Sequence, residues 1–295
     1  MTSTSGPKSF DSLDSRLDKL IERVSHHTTP SPFVAHASVA WRGGIDGHAA
    51  SADGAHSDRL TRKLHAELSY WLADAGSPGT DKRREFDDRW TFYQRQRLGE
   101  LAWTLRLENA AALADWARGR SIVEIGGGPF PGISMLHAKR AIAVDPLADA
   151  YVTAGLVPSR ARRVVYVAAP AERLPLPQRS TDLVICENCL DHVEDPAQAM
   201  TEIARLLVPG GLLWLLVDLM EFRDQLHPNP MNHQRLADLL RNAGLEVLYQ
   251  ATWDGASHHE AKQQCRLLAW KPDGTRPAVR SEPGRIVDSS AIGTL

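Results

Sequence analysis

Ser121-Ile-Val-Glu-Ile-Gly-Gly-Gly-Pro-Phe-Pro-Gly132 reads as a short apolar strand that runs into a glycine-rich turn. About twenty residues on, Ala141-Ile-Ala-Val-Asp145 reads as a second strand ending in a carboxylate, the separation that one βα unit requires. Glycines let a backbone approach a ligand closely, because no Cβ stands in the way. The carboxylate of Asp145 can accept hydrogen bonds from both hydroxyls of a ribose. The two pieces together make a pocket for a nucleoside.

Working outward, the chain after residue 120 alternates strand and helix. Strands are expected at Ser121–Ile125, Ala141–Val144, Arg163–Val167, Thr181–Cys186, Leu212–Val217, Glu246–Ala251 and Gln264–Trp270. Helices are expected at Ile133–Lys139, Pro196–Leu207 and Asn232–Ala243, the last closed by Gly244. Leu212-Leu-Trp-Leu-Leu-Val217 is apolar without alternation, as a central strand covered on both faces should be. No long helix separates the last two strands, so they should pair antiparallel. Upstream, Leu60, Leu64, Leu68 and Trp71 recur at helical spacing. Gly76-Ser-Pro-Gly79 ends that pattern, and a second helical stretch runs from about Lys82 to Ala117 with an interruption near Gly99.

The expected organisation is an extension over residues 1–60, a helical cap over 61–118, a nucleoside-binding domain over 119–272 and a loose tail over 273–295. Within the extension, Ser12–Val24 fits an amphipathic helix, and Gly43–Ser57 has little to bury and reads as loop. Whether the extension is a lid, a dimer arm or disorder stays open; a homodimer is allowed.

The chain has 295 residues, of which 43% are hydrophobic, enough for a sizeable core. A formal net charge of −2 gives no global electrostatic footprint for nucleic acid. No apolar run approaches the roughly 20 residues that span a bilayer, so no membrane partner is expected. The start, Met1-Thr-Ser-Thr-Ser-Gly-Pro-Lys8, lacks the apolar region of a secretory signal, and three cysteines do not make a disulfide framework. A reduced, cytoplasmic protein is the expectation.

A nicotinamide dinucleotide site needs G-x-G-x-x-G after the first strand. Counting from Gly126, the chain offers Gly126, Gly128 and then Pro131, with Gly132 one place late. More decisive are Ala171-Glu-Arg-Leu-Pro-Leu-Pro-Gln-Arg-Ser-Thr-Asp182-Leu-Val-Ile-Cys186-Glu-Asn-Cys-Leu-Asp-His-Val-Glu-Asp-Pro196 and Ala204-Arg-Leu-Leu-Val-Pro-Gly-Gly-Leu-Leu213. With the two strand ends above, these resemble the class I methyltransferases that use S-adenosylmethionine (SAM), type 11-like, over roughly Arg120–Trp270. The resemblance implies a doubly wound α/β, Rossmann-like sheet of seven strands with the last antiparallel, and SAM as cofactor. The segment Val144–Tyr151 also resembles, more loosely, a bacterial subgroup associated with carbohydrate modification.

The resemblance carries roles onto matching positions. Glu124 would order the methionine end of SAM, Gly126 and Gly128 would line the cofactor, and Asp145 would bind the ribose. Ala171 and Glu172 would flank the adenine, and Glu187 and Asn188 would lie near the sulfonium. The N–H groups opening the helix after the first strand would suit a carboxylate. Tyr93 sits on a helix that closes over SAM in such proteins, although Trp71, Trp90, Tyr93 and Trp103 are more simply read as core. The chain departs from the family pattern at Phe130, in place of a third glycine, at Pro170, in place of an aspartate before Ala171, and at Thr181, in place of phenylalanine.

Catalytic candidates are His227, then His192, then Asp218, each weighed against a packing role. A neutral imidazole suits removal of a hydroxyl proton near pH 7. Cys186-Glu-Asn-Cys189 with His192 could be read as a redox or metal set, but no second cysteine pair exists, and two small core residues are the preferred reading. His258 and His259 read as solvent-exposed, and no metal is expected. Lys82-Arg-Arg84 reads as a solvated helix face. The expected activity is methyl transfer to a small-molecule acceptor, most simply a hydroxyl of a sugar or secondary metabolite. N- or C-methylation, a catalytically silent binding subunit and a nicotinamide oxidoreductase are the alternatives.

Overall fold

A computed structural model describes residues 52–280 except 78, 159–160, 162, 225, 255–260 and 262. The expected helix at Ser12–Val24, most of the Gly43–Ser57 run, His258, His259 and residues 281–295 lie outside the described residues.

Three helices come first. Helix α1 spans Ala52–Ala75, so it begins inside the run expected as loop. Helix α2, Asp81–Thr104, starts where the Thr80 hydroxyl accepts from Arg83 N at 3.3 Å. It buries Phe86, Gln94, Leu98 and Leu101, a three-and-four spacing that runs straight through Gly99. The break expected at Gly99 falls instead at residues 105–109. There Arg106 takes φ +62° and Asn109 caps α3, Ala110–Trp116, by accepting from Ala112 N at 3.0 Å. Arg83 is not on a solvated face. It is buried, and its guanidinium donates to the carbonyls of Gly155 (3.0 Å) and Leu156 (2.7 Å).

The sheet strands are β1 Ser121–Ile125, β2 Arg140–Val144, β3 Val165–Val167, β4 Thr181–Glu187, β5 Leu207–Leu219, β6 Glu246–Asp254 and β7 Gln263–Trp270. Between them come α4, Ala148–Thr153, after β2; α5, Pro196–Leu206, after β4; and α6, His233–Asn242, after β5. The strand order is β3-β2-β1-β4-β5-β7-β6, with β7 the antiparallel member between β5 and β6. The chain winds outward one way from β1 and the other way from β4. That reversal opens a crevice at the carboxyl ends of β1 and β4, where open α/β sheets bind ligands.

Strand alternation sorts the core into two layers. Val123, Ile125, Val184, Cys186, Leu213, Leu215 and Val217 face one side with Met200 and Ile203 of α5 and Leu236 and Leu240 of α6. Ile122, Leu183, Ile185, Leu212 and Trp214 face the other with Leu98 and Leu101 of α2 and Leu113 of α3. The segment after β7 is tied down as far as residue 280: Arg280 donates from its backbone to Thr104 O (3.1 Å) and from Nε to Trp103 O (2.9 Å). No described helix is long and apolar enough to cross a membrane.

Candidate functional site

The turn after β1 is organised by Glu124. Its carboxylate is 2% exposed and accepts from Gly132 N at 3.0 Å and Ile133 N at 2.8 Å. The helix expected at Ile133–Lys139 is only a 3-10 turn, Gly132–Met135. Pro131 precedes it, and Leu136 already has extended backbone (ψ 150°) leading to β2. The amides expected to await a ligand carboxylate are therefore occupied by the protein's own Glu124. Burial, followed by the nearby charge of Glu187, pushes the Glu124 carboxyl up to about 8 against the pull of its two amide bonds and Arg97. A carboxyl raised in the folded state stabilises the fold while protonated. The contribution of this group is fully present below about pH 4.5 and is lost as pH rises through about 8, at roughly 1.4 kcal/mol per pH unit between. Thermal melts should show a shallower decline over that window for Glu124→Gln; an unchanged slope would locate the dependence elsewhere.

Gly126 and Gly128 take φ +69° and +57°, and Gly126 N donates to Val144 O at 2.9 Å, lacing the turn to β2. A Cβ at Gly126 would stand 2.4 Å from Cys189 Sγ, and one at Gly128 would stand 2.9 Å from the Trp71 ring. Asp145 ends β2 buried, its two oxygens accepting from Gly128 N (3.2 Å) and Leu147 N (2.8 Å). Burial, then the charge of Glu67, pushes its carboxyl up to about 7. Helix α1 therefore lies on this turn. Trp71 packs with Trp90 (5.1 Å between centroids), Phe86 (6.2 Å) and Tyr151 (6.3 Å), Glu67 faces Asp145, and the Lys63 ammonium bonds His192 O. The aromatic residue over the turn is Trp71 rather than Tyr93. Tyr93 is 44% exposed on the outer flank of α2, its ring 6.1 Å from Trp90.

At the end of β4, Glu187 accepts from Trp214 Nε1 (3.0 Å) and from Arg97 of α2 (3.2 Å). Asn188 has φ +49°, and its buried Oδ1 has no hydrogen-bond partner among the described residues. Cys186 and Cys189 are free thiols buried in the core layer with Cys265. Ala171 is buried, but the Glu172 carboxylate is turned to the amides of Glu194 (2.7 Å) and Asp195 (3.1 Å), where it orders the entry to α5. Arg97, Trp214 and Gln94, which donates to Phe130 O at 2.9 Å, were not among the expected site residues.

A polar cluster completes this edge. His227, 8% exposed, sits in the loop after β5, where its backbone N (2.6 Å) and Nδ1 (2.9 Å) both meet the Asp224 carboxylate. Its ring lies 4.3 Å from that of His192, edge to face. Asp191 is fully buried, and among the described residues neither carboxylate oxygen has a hydrogen-bond partner in another residue. Burial pushes its carboxyl up to about 7, with Asp218 and Asp224 adding to the rise and Lys63 opposing it. His192 Nε2 is 3.8 Å from Asp191 Oδ2. Asp218 is also buried, but it accepts from Gln264 of the neighbouring strand at 2.9 Å. The structure thus brings His227 and His192 together, ties Asp218 into the sheet, and adds Asp191 and Asp224.

Comparison with known proteins agrees with this architecture. Residues 123–215 match the family model of a methyltransferase domain. Over 147 residues the chain is 32% identical to a probable S-adenosylmethionine-dependent methyltransferase of Mycolicibacterium smegmatis, covering 46% of this chain and 55% of that one. Over 133 residues it is 30% identical to an uncharacterized methyltransferase of Mycobacterium tuberculosis, covering 42% of this chain and 52% of the relative. The chain thus spans about half the length of the relatives it matches. Among solved structures, a Haloferax volcanii complex of the Trm112 methyltransferase activator with a methyltransferase superposes with a TM-score of 0.50. The match has 17% identity and covers 70% of this chain and 98% of that one, a likeness of fold.

Proposed function

We propose that this chain is a SAM-dependent methyltransferase acting on a small-molecule acceptor, most simply through a hydroxyl of a sugar or secondary metabolite. The observation that carries the reading is the pairing of the glycine turn with the buried Asp145 at the sheet's switch point. The residues fit the cofactor. Cβ atoms at Gly126, Gly127 and Gly128 would stand 2.4–2.9 Å from Cys189, Glu124 and Trp71, so only glycine is accommodated along this turn. Each Asp145 oxygen accepts one backbone N–H and keeps a lone pair for a ribose hydroxyl. Asn188 Oδ1 is a buried acceptor awaiting a donor at the same edge.

SAM supplies a methyl group already activated on a sulfonium. The protein's task is then alignment and exclusion of water. Helices α1 and α2 cover the crevice, and the cluster of Asp191, His192, His227 and Asp224 is where an acceptor hydroxyl would be held and its proton taken. A cytoplasmic location and the sugar-modifying subgroup are extensions of the same reading.

Calorimetry tests it. The folded chain should bind SAM and not NADH, and Asp145→Ala should weaken SAM binding by roughly 1.5–3 kcal/mol as the ribose loses a charge-assisted partner. A folded chain with no heat on adding SAM would favour the silent binding subunit, and undiminished affinity in Asp145→Ala would put the nucleoside elsewhere.

A further inference from the structure

We propose that Asp191, His192 and His227 form a binding site for one divalent transition-metal ion of the zinc class, with Asp224 orienting His227 from behind. The first residues of the loop after β4 and the loop after β5 meet here, at the carboxyl edge of the sheet. One ligand atom from each of the three residues lies within 4.8 Å of the others. Metal–nitrogen and metal–oxygen bonds of about 2.0–2.2 Å put ligand atoms roughly 3–3.5 Å apart, so small side-chain rotations close the set on an ion.

Three features point to a cation rather than to packing. The first is Asp191. A fully buried carboxylate without a hydrogen-bond partner in another residue is costly, and a coordinated ion removes that cost. The second is the His227–Asp224 contact. A ligand imidazole commonly gives its second nitrogen to a carboxylate, and His227 Nδ1 meets Asp224 at 2.9 and 3.0 Å, which directs Nε2 to the ion. The third is charge. Asp218 and Asp224 act on Asp191 with the same sign, and Lys63 acts with the opposite one. Lys63 reaches the cluster from α1, where it bonds His192 O. Two imidazoles and one carboxylate suit zinc, cobalt, iron or manganese, whereas magnesium and calcium prefer all-oxygen sets. Three protein ligands leave positions open, as in catalytic sites.

Resting on the methyltransferase reading, those positions would take an acceptor that offers an oxygen to the ion. His227 would then serve as a ligand and not as a free base. No metal is expected from the sequence, where His192 stands nearest to Cys186 and Cys189. Those thiols are buried in the core layer, and Asp191 and His227 take their place beside His192.

The test uses the full chain, stripped with a chelator, and the metal alone. Zn²⁺ titrated against a chromophoric chelator should bind at one ion per chain with micromolar or tighter affinity, and Co²⁺ should give the visible absorption of a mixed nitrogen–oxygen site. Asp191→Ala, His192→Ala and His227→Ala should each lose at least a hundredfold in affinity. Asp224→Asn should lose about 10–100-fold and alter the Co²⁺ spectrum. His137→Ala, far along the chain beside Asp115, should bind as the parent does. Circular dichroism shows whether each variant is folded, and Asp224→Asn covers the case in which Asp191→Ala is not. Absence of binding by Zn²⁺, Co²⁺ and Mn²⁺, or affinity undiminished in folded His192→Ala and His227→Ala, would overturn the site. SAM calorimetry on the metal-free chain is a separate readout, so loss of the methyltransferase reading and loss of the metal site are told apart.

Discussion

Replacing His227 by alanine is expected to cut methyl transfer to a hydroxylated acceptor by about 10²–10⁴-fold while leaving SAM affinity unchanged. The expectation rests on how the residue is held. Both its backbone N and its Nδ1 meet Asp224, so the ring has one orientation and one nitrogen committed. The ring stands in the cluster with His192 and Asp191. The same loss follows whether Nε2 takes the acceptor's proton or coordinates an ion that activates it. His227 lies beyond the β5 end, whereas the residues proposed to bind the nucleoside lie beyond β1 and β2, so the two proposed functions separate on the sheet edge. Single-turnover rates at saturating SAM, set beside calorimetry, measure both. An unchanged rate would remove the cluster from acceptor chemistry, and an equal fall in SAM binding would mean that His227 merely holds the fold.

The sheet was readable because its signals are local. Each strand is a short apolar run between turn residues, and the six-residue stretch Leu212–Val217 could only be central. Asp145 and the glycines were readable for the same reason, as one βα unit carries both. What was missed depends on contacts between distant segments. The helix expected after β1 needed four further helical residues, but Leu136 already takes extended backbone leading to β2, so only a single turn forms, its first two amides collected by Glu124. Gly99 costs about 1 kcal/mol in a helix interior, which is too little to break α2 when Leu98 and Leu101 are buried on the sheet. His192 and His227 lie 35 residues apart in the sequence, and nothing there says that their rings stand 4.3 Å apart. Asp191, next to His192, carried no signal of its own until its burial was seen. Tyr93 and Trp71 were both candidates on helices, and the phase of α2, which turns Gln94 and Leu98 inward, leaves Tyr93 outside.

Truncating Trp71 to alanine should tighten SAM binding rather than weaken it, by up to about a hundredfold. Helix α1 rests on the turn after β1. The Trp71 ring covers Gly128 within the reach of a single added methyl, and Glu67 presents a carboxylate to Asp145. On the proposed reading, a nucleoside gripped by Asp145 needs the same space, so α1 must move for it to bind. The population of that displaced state is set by what holds α1 down. That is chiefly the Trp71 packing on Trp90, Phe86 and Tyr151, and the Lys63 bond to His192 O. Removing a large aromatic ring from such a cluster costs roughly 3 kcal/mol of docking. Apparent affinity scales with the competent fraction, so that docking energy returns as tighter binding until α1 is mostly displaced. Calorimetry of Trp71→Ala against the parent gives the sign directly, and stopped-flow fluorescence of the parent should show a binding rate that saturates at the rate of α1 release. Weaker binding in Trp71→Ala would make the indole a wall of the cofactor site, with α1 part of the holding surface instead of its cover.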